Sequence, residues 1–394
     1  MKKGILCLFA LTLCFGCAPI RAVRWWQPDL SDSSKFAKAD IPKAALPFRF
    51  VEATGQRKYQ QLTAYLDSML INTNTNAFLV IKNDSLIYQS FAEHSNKSTL
   101  HPSFSVAKSY IGTLTGIAID KGIIRSADDL VIKYLPELEN NDSRFKQLTI
   151  QHVLDMRSGL DFDEDKQSPF AGITKLYYGS SLKNQIAGLK MKRAPGSTFE
   201  YQSINTQLLA AVLEKVSGEK VTTLLTKYLW QPLGAESDAL WNLDDQKMVK
   251  AFCCLNATAA DFAKLGRLYL KHGNWEGKQV VSRNWINRTT NPEALAQSGY
   301  KNQWWACSNV TYFKDSVSAV AMLDRNQLKA PIRKRTNGGY SVSLKTGDYR
   351  AEGILGQLIY VNPDNNVIIV RLGDYPKKNI YFNGFIPKVG REIK

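Results

Sequence analysis

The sequence predicts a mixed α/β (α+β) protein. One lobe, an antiparallel sheet flanked by helices, is discontinuous: it is assembled from both ends of the chain and interrupted by an inserted all-helical lobe at about 125–275. Three observations predict this. Residues 77–92, AFLVIKNDSLIYQSFA, alternate in the strand manner around Asn83-Asp84 and mark a hairpin. Then LTIQHVLDMRSGL (148–160), NTQLLAAVLEKVSG (205–218) and ATAADFAKLGRLYLKHG (257–273) repeat apolar residues at spacings of three and four and run into glycine, the signature of helices and their ends. Finally GYSVSLKTG (339–347), GILGQLIYVNP (353–363) and NNVIIVRLG (365–373) return to short β-rich runs bounded by Gly, Pro and Asn, and FNGFIPKVGREIK (382–394) closes the chain as a helix.

A chain of 394 residues with 44% hydrophobic content buries a large core and exceeds the usual size of one domain. The net charge of +16 comes from basic residues mostly scattered among apolar ones, with no basic run longer than Arg333-Lys334-Arg335 and no aromatic-flanked RNA motif. It reads as a basic solvated surface and not as a nucleic-acid site. Lys2 and Lys3 precede an apolar run from Gly4 to Gly16 that is too short to cross a bilayer, so residues 1–17 read as a signal segment and the protein as exported to the bacterial periplasm or cell envelope. Cys17 after the small Gly16 resembles a bacterial lipoprotein cleavage site, although Cys14 stands where leucine is usual; the resemblance implies a lipid anchor on Cys17 and a membrane as partner. Residues 18–50 follow as a leader, and 51–394 form the two-lobed domain. Cys253, Cys254 and Cys307 are odd in number and make no disulfide framework; one bridge from Cys307 to either of the adjacent pair is open, and three small buried hydrophobes are favoured over it.

The helix that follows the hairpin carries the chemistry. In HPSFSVAKSYIGTLTGIAIDKG (101–122), Ala107, Tyr110, Ile111, Leu114 and Ile117 recur at helical spacing while Gly112, Thr113, Thr115 and Gly116 keep the other faces small, so nearly the whole circumference is fit for burial. Lys108 lies one turn after Ser105 on the same face. Burial would lower the amine's pKa toward a value at which it accepts a proton from the hydroxyl, which activates a nucleophile. Ser-x-x-Lys also occurs at Ser143/Lys146, Ser180/Lys183, Ser217/Lys220 and Ser298/Lys301, but in polar or loop-like settings. Only Ser105 opens an apolar helix directly after a hairpin.

SVAK (105–108), HVLDMRSGLDF (152–162), PGSTFEYQSINTQLLAAVLEKVSG (195–218) and GILGQLIYVNP (353–363) together resemble the serine β-lactamase and penicillin-binding-protein superfamily, most nearly its 6-aminohexanoate-dimer hydrolase and esterase-type branch, over about residues 50–375. The resemblance implies an acyl-enzyme mechanism in a cleft between the lobes, with Ser105 as nucleophile, Lys108 as adjacent base or relay, and Tyr201 as the tyrosine opening the second motif. It leaves open which of Lys108 and Tyr201 takes the serine proton. Two positions after that tyrosine, where many β-lactamases have asparagine, stands Ser203, with Asn205 beyond; both are candidate substrate contacts, as are Tyr177 and Tyr178. A Lys-Thr-Gly stands at 345–347, yet counting back from Pro363 places the strand edge beside the nucleophile at 351–354, so that the backbone N–H groups of Ser105 and Ile354 would form the oxyanion hole.

Other catalytic classes fare worse. His94, His101, His152 and His272 are the only histidines, and no Gly-x-Ser-x-Gly elbow, His-Glu-x-x-His, phosphate loop or dinucleotide fingerprint exists. His152 is expected to face the protein or cap its helix. The acidic run Asp161, Asp163, Glu164 and Asp165 fails the calcium-loop spacing and reads as a solvated loop near the cleft. The expectation is therefore a serine hydrolase (carboxylesterase or amidase) using a covalent acyl-enzyme on Ser105. It needs no metal or organic cofactor, takes a small-molecule or peptide-like acyl substrate, and has no nucleic-acid partner. The alternatives are a β-lactamase or D-alanyl-D-alanine peptidase and, from another class, a non-catalytic sensor of the same fold.

Overall fold

The computed structural model describes residues 18–25, 27–165, 168–291, 299–328, 330–377 and 380–393; Cys17 lies outside them. Thr75–Lys82 and Ser85–Phe91 form the expected hairpin, and its turn residues Asn83 and Asp84 both have left-handed φ (50° and 61°), as a two-residue type I′ turn requires. Val367–Gly373, from the far end of the chain, pairs antiparallel with Thr75–Lys82. Outward from it run Gln357–Asn362, Tyr340–Gly353 and Trp304–Phe313, so one sheet is closed from both chain ends.

Every residue of Gln357–Asn362 and Val367–Gly373 is buried, because helices cover both faces. Ile359, Val361, Ile368 and Val370 join the core under the helix Ala259–Leu270, whereas Leu358, Tyr360, Val367 and Ile369 face a second cluster with Phe382, Ile386 and Val389 of the C-terminal helix Phe382–Glu392. Period-two alternation thus divides the same strands between two cores.

Between hairpin and sheet return, the chain builds Ile150–Leu154, Gly172–Tyr178, Leu182–Ala187, Ser203–Ser217 and Val221–Leu225. The segment read as helical to about 275 also holds two short strands, Ala239–Leu243 and Leu255–Ala257, which pair with the leader strand Ala37–Ile41 and with His101–Pro102 in a four-stranded sheet. Leader pairing across some 200 residues leaves no local periodic signal, and each strand is too short to show alternation. An additional helix, Ser316–Arg325, packs with Ile332–Lys334 beside the long strand Tyr340–Gly353.

Cys253, Cys254 and Cys307 are all buried as expected, but the pairing is corrected. Cys253 and Cys254 are bonded to each other, and Cys307 is a buried free thiol whose Sγ lies 3.5 Å from an Arg350 nitrogen on the large sheet. With Cys253 and Cys254 bonded to each other, neither is available to Cys307.

Candidate active site

His101–Pro102 hands the chain to a single turn, Phe104–Val106, and then to the helix Ala107–Asp120, in which every residue from Ala107 to Ala118 is buried. The turn is held by Ser103 N–H donating to Leu255 O (2.7 Å) and Val106 N–H donating to Ser103 O (3.1 Å). Phe104 has φ 41°, a region that bulky side chains rarely occupy and that persists only where the surroundings over-determine it. Ser105, the next residue, is half-buried on the floor of a cleft of about 750 Å³.

Lys108 is 1% exposed. Its Nζ donates to Ser105 Oγ at 2.8 Å and to Phe252 O at 2.9 Å and lies 5.1 Å from the centre of the Tyr201 ring. Burial brings its pKa down from 10.5 to about 8, and the negative charge of Glu164 opposes part of that fall. Burial pushes the Tyr201 phenol well above the usual tyrosine range, with Glu164 and Glu352 adding to the effect and the neighbouring Ser105 hydroxyl opposing it. Its ring stacks on Trp305 (5.4 Å) and meets Tyr300 edge-on (5.8 Å).

The strand Tyr340–Gly353 ends against the Ser105 turn. A Cβ on Gly353 would fall 2.7 Å from Ser103 O and 2.9 Å from Ser105 N, so strand end and turn are in backbone contact. Ile354 and Leu355 line the cleft directly after it. The guanidinium of Arg371, fully buried in Val367–Gly373, donates to Leu355 O (2.6 Å) and Gly356 O (3.0 Å) from one nitrogen, and from another to Thr73 O (3.0 Å) and Asp374 O (2.7 Å), which fixes this corner. The Lys-Thr-Gly at 345–347 lies elsewhere on the strand, and Lys345 does not line the cleft.

The remaining candidates divide. Tyr177 and Tyr178 wall the cleft; the Tyr177 hydroxyl is turned away to Asp32 (2.7 Å). Ser203 lines it too, but its N–H and Oγ are both committed to Glu164 (2.8 and 2.6 Å). Asn205 is a correction: it is fully buried, its amide donates to Met156 Sδ, and it does not line the cleft. Two residues beyond Ser203, just over half a helical turn, it points into the core between helices. Glu164 is the converse case. The acidic run was expected to be solvated, yet this carboxylate caps the first turn of Ser203–Ser217 from inside the cleft. Ala22 and Val23 of the first helix, Ala18–Trp25, complete the wall with Ile173.

None of the histidines lines the cleft. His152 shares a capping box with Thr149, and buried His101 is pushed down to about 4 by desolvation. What the arrangement offers is a hydroxyl bonded to a buried amine whose proton is weakly held, a protonated phenol beside that pair, and backbone N–H groups at the meeting of strand and turn.

The model of the Beta-lactamase family matches residues 72–379. The 6-aminohexanoate-dimer hydrolase of Paenarthrobacter ureafaciens is 27% identical over 333 residues, 79% of this chain and 75% of that protein. Among solved structures, a Bacillus anthracis protein provisionally named 6-aminohexanoate-dimer hydrolase superposes with a TM-score of 0.71 at 22% identity, covering 90% of this chain and 91% of that one. EstCE1, a hydrolase with promiscuous acyltransferase activity, gives a TM-score of 0.59 at 17% identity over 84% and 96%. With more than three-quarters of its length matched by the family model, and with antiparallel sheet, flanking helices and cleft arranged as that likeness requires, the chain belongs to the β-lactamase family.

Proposed function

We propose that this protein is a serine hydrolase that cleaves an ester or a linear amide through an acyl-enzyme on Ser105. The observation that carries the reading is the buried Lys108 amine, 2.8 Å from Ser105 Oγ, with a pKa of about 8. Neutral Lys108 accepts the Ser105 proton as Oγ attacks the acyl carbon. The oxyanion that forms is met by the N–H groups of Ser105 and Ile354. Tyr201, whose phenol burial keeps protonated, supports the acid role: it delivers a proton to the departing alkoxide or amine and is reprotonated through the Lys108 ammonium. Water then attacks the acyl carbon, giving up a proton to Lys108, and as the acyl–Oγ bond breaks the Lys108 ammonium returns that proton to Ser105 Oγ, which frees the acid and restores the neutral amine. We further infer export with lipid attachment at Cys17, supported by the apolar run that precedes it.

Charge in the cleft ranks the substrates. Glu164 and Asp165 line it, and among the described residues no lysine or arginine does. Penicillins and D-alanyl peptides carry a carboxylate that would meet these two like charges, while the cation at the site, Lys108, is engaged with Ser105 Oγ and Phe252 O; neutral or amine-bearing acyl donors meet no such cost. Measured kcat/KM should therefore be higher for nitrophenyl esters of short acids and for linear amides than for benzylpenicillin; efficient penicillin turnover would overturn the ranking while leaving the mechanism standing.

Glu164 bears on pH. Activity requires neutral Lys108, so kcat/KM should rise with pH through about 8. The Glu164 charge holds that pKa up; Glu164→Gln removes the charge while keeping an acceptor for Ser203. The rising limb should move to lower pH in this variant, and a limb left in place would show that Lys108 is not the titrating base.

A further inference from the structure

Lys345, the lysine of the Lys-Thr-Gly that the cleft does not use, lies in a second cavity of about 640 Å³ between Trp304–Phe313, Tyr340–Gly353 and the C-terminal helix. The two cavities share no lining residue, but Trp305, which stacks on Tyr201, is in the wall of the second. Lys345, Arg350, Lys388 and Arg391 all line it, with Glu392 at the rim. Both guanidinium forks are already taken. Arg350 binds Glu352 (2.9 Å) and Ala306 O (2.9 Å), while Arg391 binds Asp348 (3.0 Å), Thr346 Oγ1 (2.9 Å) and Asn309 Oδ1.

Lys345 is different. Half-buried, it has no hydrogen bond or ion pair among the described residues, and its neighbours are like charges: after desolvation, Arg350 and Arg333 are what push its amine below the usual lysine range. Its Nζ is set against Gly299, where a Cβ would fall 2.9 Å away. Cations gathered around an uncompensated amine cost the folded chain free energy unless an anion joins them.

We propose that this cavity is a binding site for the phosphate group of a ligand, with Lys345 as its principal cationic contact and Lys388 as the second. A carboxylate is recognised best by a free guanidinium fork, and neither fork is free here; lysine amines arriving from strand and helix suit a tetrahedral anion with acceptors on several sides. The aromatic walls Trp305, Tyr312 and Tyr381 leave room for an organic portion. A soluble phosphate ester and an anionic lipid headgroup share this chemistry.

The test is titration of inorganic phosphate into the full-length protein by calorimetry. Saturable one-site binding is expected, about tenfold weaker in Lys345→Gln and unaltered in Lys43→Gln, an exposed lysine elsewhere that controls for the general basic surface. Ser105→Ala should bind as wild type does, so the site stands or falls apart from the hydrolase reading. Lys345→Gln removes a charge from among like charges, so its thermal unfolding should be no earlier than wild type, which separates lost binding from lost fold. Sedimentation of the Cys17→Ser protein, which cannot carry the inferred lipid anchor, with phosphatidylglycerol vesicles then assigns the source: binding competed by phosphate and weakened in Lys345→Gln identifies a headgroup, and phosphate binding without vesicle binding identifies a soluble ester. Unsaturable binding, equal affinity in Lys345→Gln, or vesicle binding that phosphate does not compete for would each overturn the proposal.

Discussion

Lys108→Met is expected to fold at least as well as the wild type and to lose about 10²–10⁴-fold in kcat/KM for a nitrophenyl ester, the effect of removing a positioned base. The methionine keeps the apolar stem in a helix whose residues around it are all buried, and removes only the amine. Ser105→Ala should abolish covalent labelling by a fluorophosphonate as well as hydrolysis. Lys108→Met should still be labelled, but slowly. Ordinary turnover by folded Lys108→Met would remove the amine from the mechanism, and labelling of Ser105→Ala would place the nucleophile elsewhere.

Stability should move in the opposite direction to activity, and pH decides by how much. The Lys108 amine titrates at about 8 in the folded chain against 10.5 in the free side chain. Below pH 8 both states hold the proton and the folded state bears the whole cost of the buried cation, roughly 3 kcal/mol. Removing the amine also leaves Phe252 O without its donor, which takes back about 1–2 kcal/mol. The net gain near pH 7 is then about 1–2 kcal/mol. Between about pH 8 and 10.5 the folded lysine is neutral while the unfolded one still binds a proton, so wild-type stability rises with pH and the advantage of the methionine variant fades. Denaturant unfolding of both proteins at pH 7 and pH 10 measures this; a gap that widened with pH would contradict a depressed Lys108.

The same physics explains why parts of the site were legible and others not. Lys108 stands out in sequence because a charge inside an otherwise buried helix is costly without a purpose, and Ser105 follows from it by the helical repeat. Arg371 offers the same signal, a guanidinium within VIIVRLG, but a strand places its partners by tertiary pairing: they lie near Thr73 and at Leu355–Gly356, positions no local spacing connects to it. The hairpin and the two central strands were readable because both their turns and their apolar runs are local. Glu164 was misread because an acidic loop of Asp and Glu looks solvated until a helix start closes over one member of it. Asn205 was misplaced by one-dimensional adjacency: Ser203 opens the helix at the cleft, while two residues later the helix has rotated about 200° and faces the core. The leader's share of the wall, Ala22 and Val23, has no sequence signature at all, since it depends on Trp25 packing against Phe36 and Tyr178.

Gly353→Ala should cost about 10²–10³-fold in kcat/KM, the range for losing one oxyanion donor. Gly353 has extended backbone (φ −133°, ψ 159°), so alanine suits its conformation and the effect must come from contact alone. The new methyl would sit 2.7 Å from Ser103 O, 2.9 Å from Ser105 N and 3.1 Å from Phe104 Cβ. These are backbone atoms, or tied to a backbone already held at a positive φ, so the turn cannot yield as the end of a flexible side chain would. The strand must retreat instead, and it carries the Ile354 N–H with it while Arg371 holds the corner beyond. Overpacking of this kind costs about 1–3 kcal/mol of stability, which a domain of this size tolerates. The informative measurement is the split between constants: if the lost interaction is with the oxyanion, kcat falls and KM stays near its wild-type value, because the ground-state carbonyl depends on those donors less than the tetrahedral species does. A variant that hydrolysed esters at the wild-type rate would show that the end of Tyr340–Gly353 is no part of the reacting site. One that raised KM alone would make the strand end a surface for substrate binding, with the oxyanion stabilised from another direction.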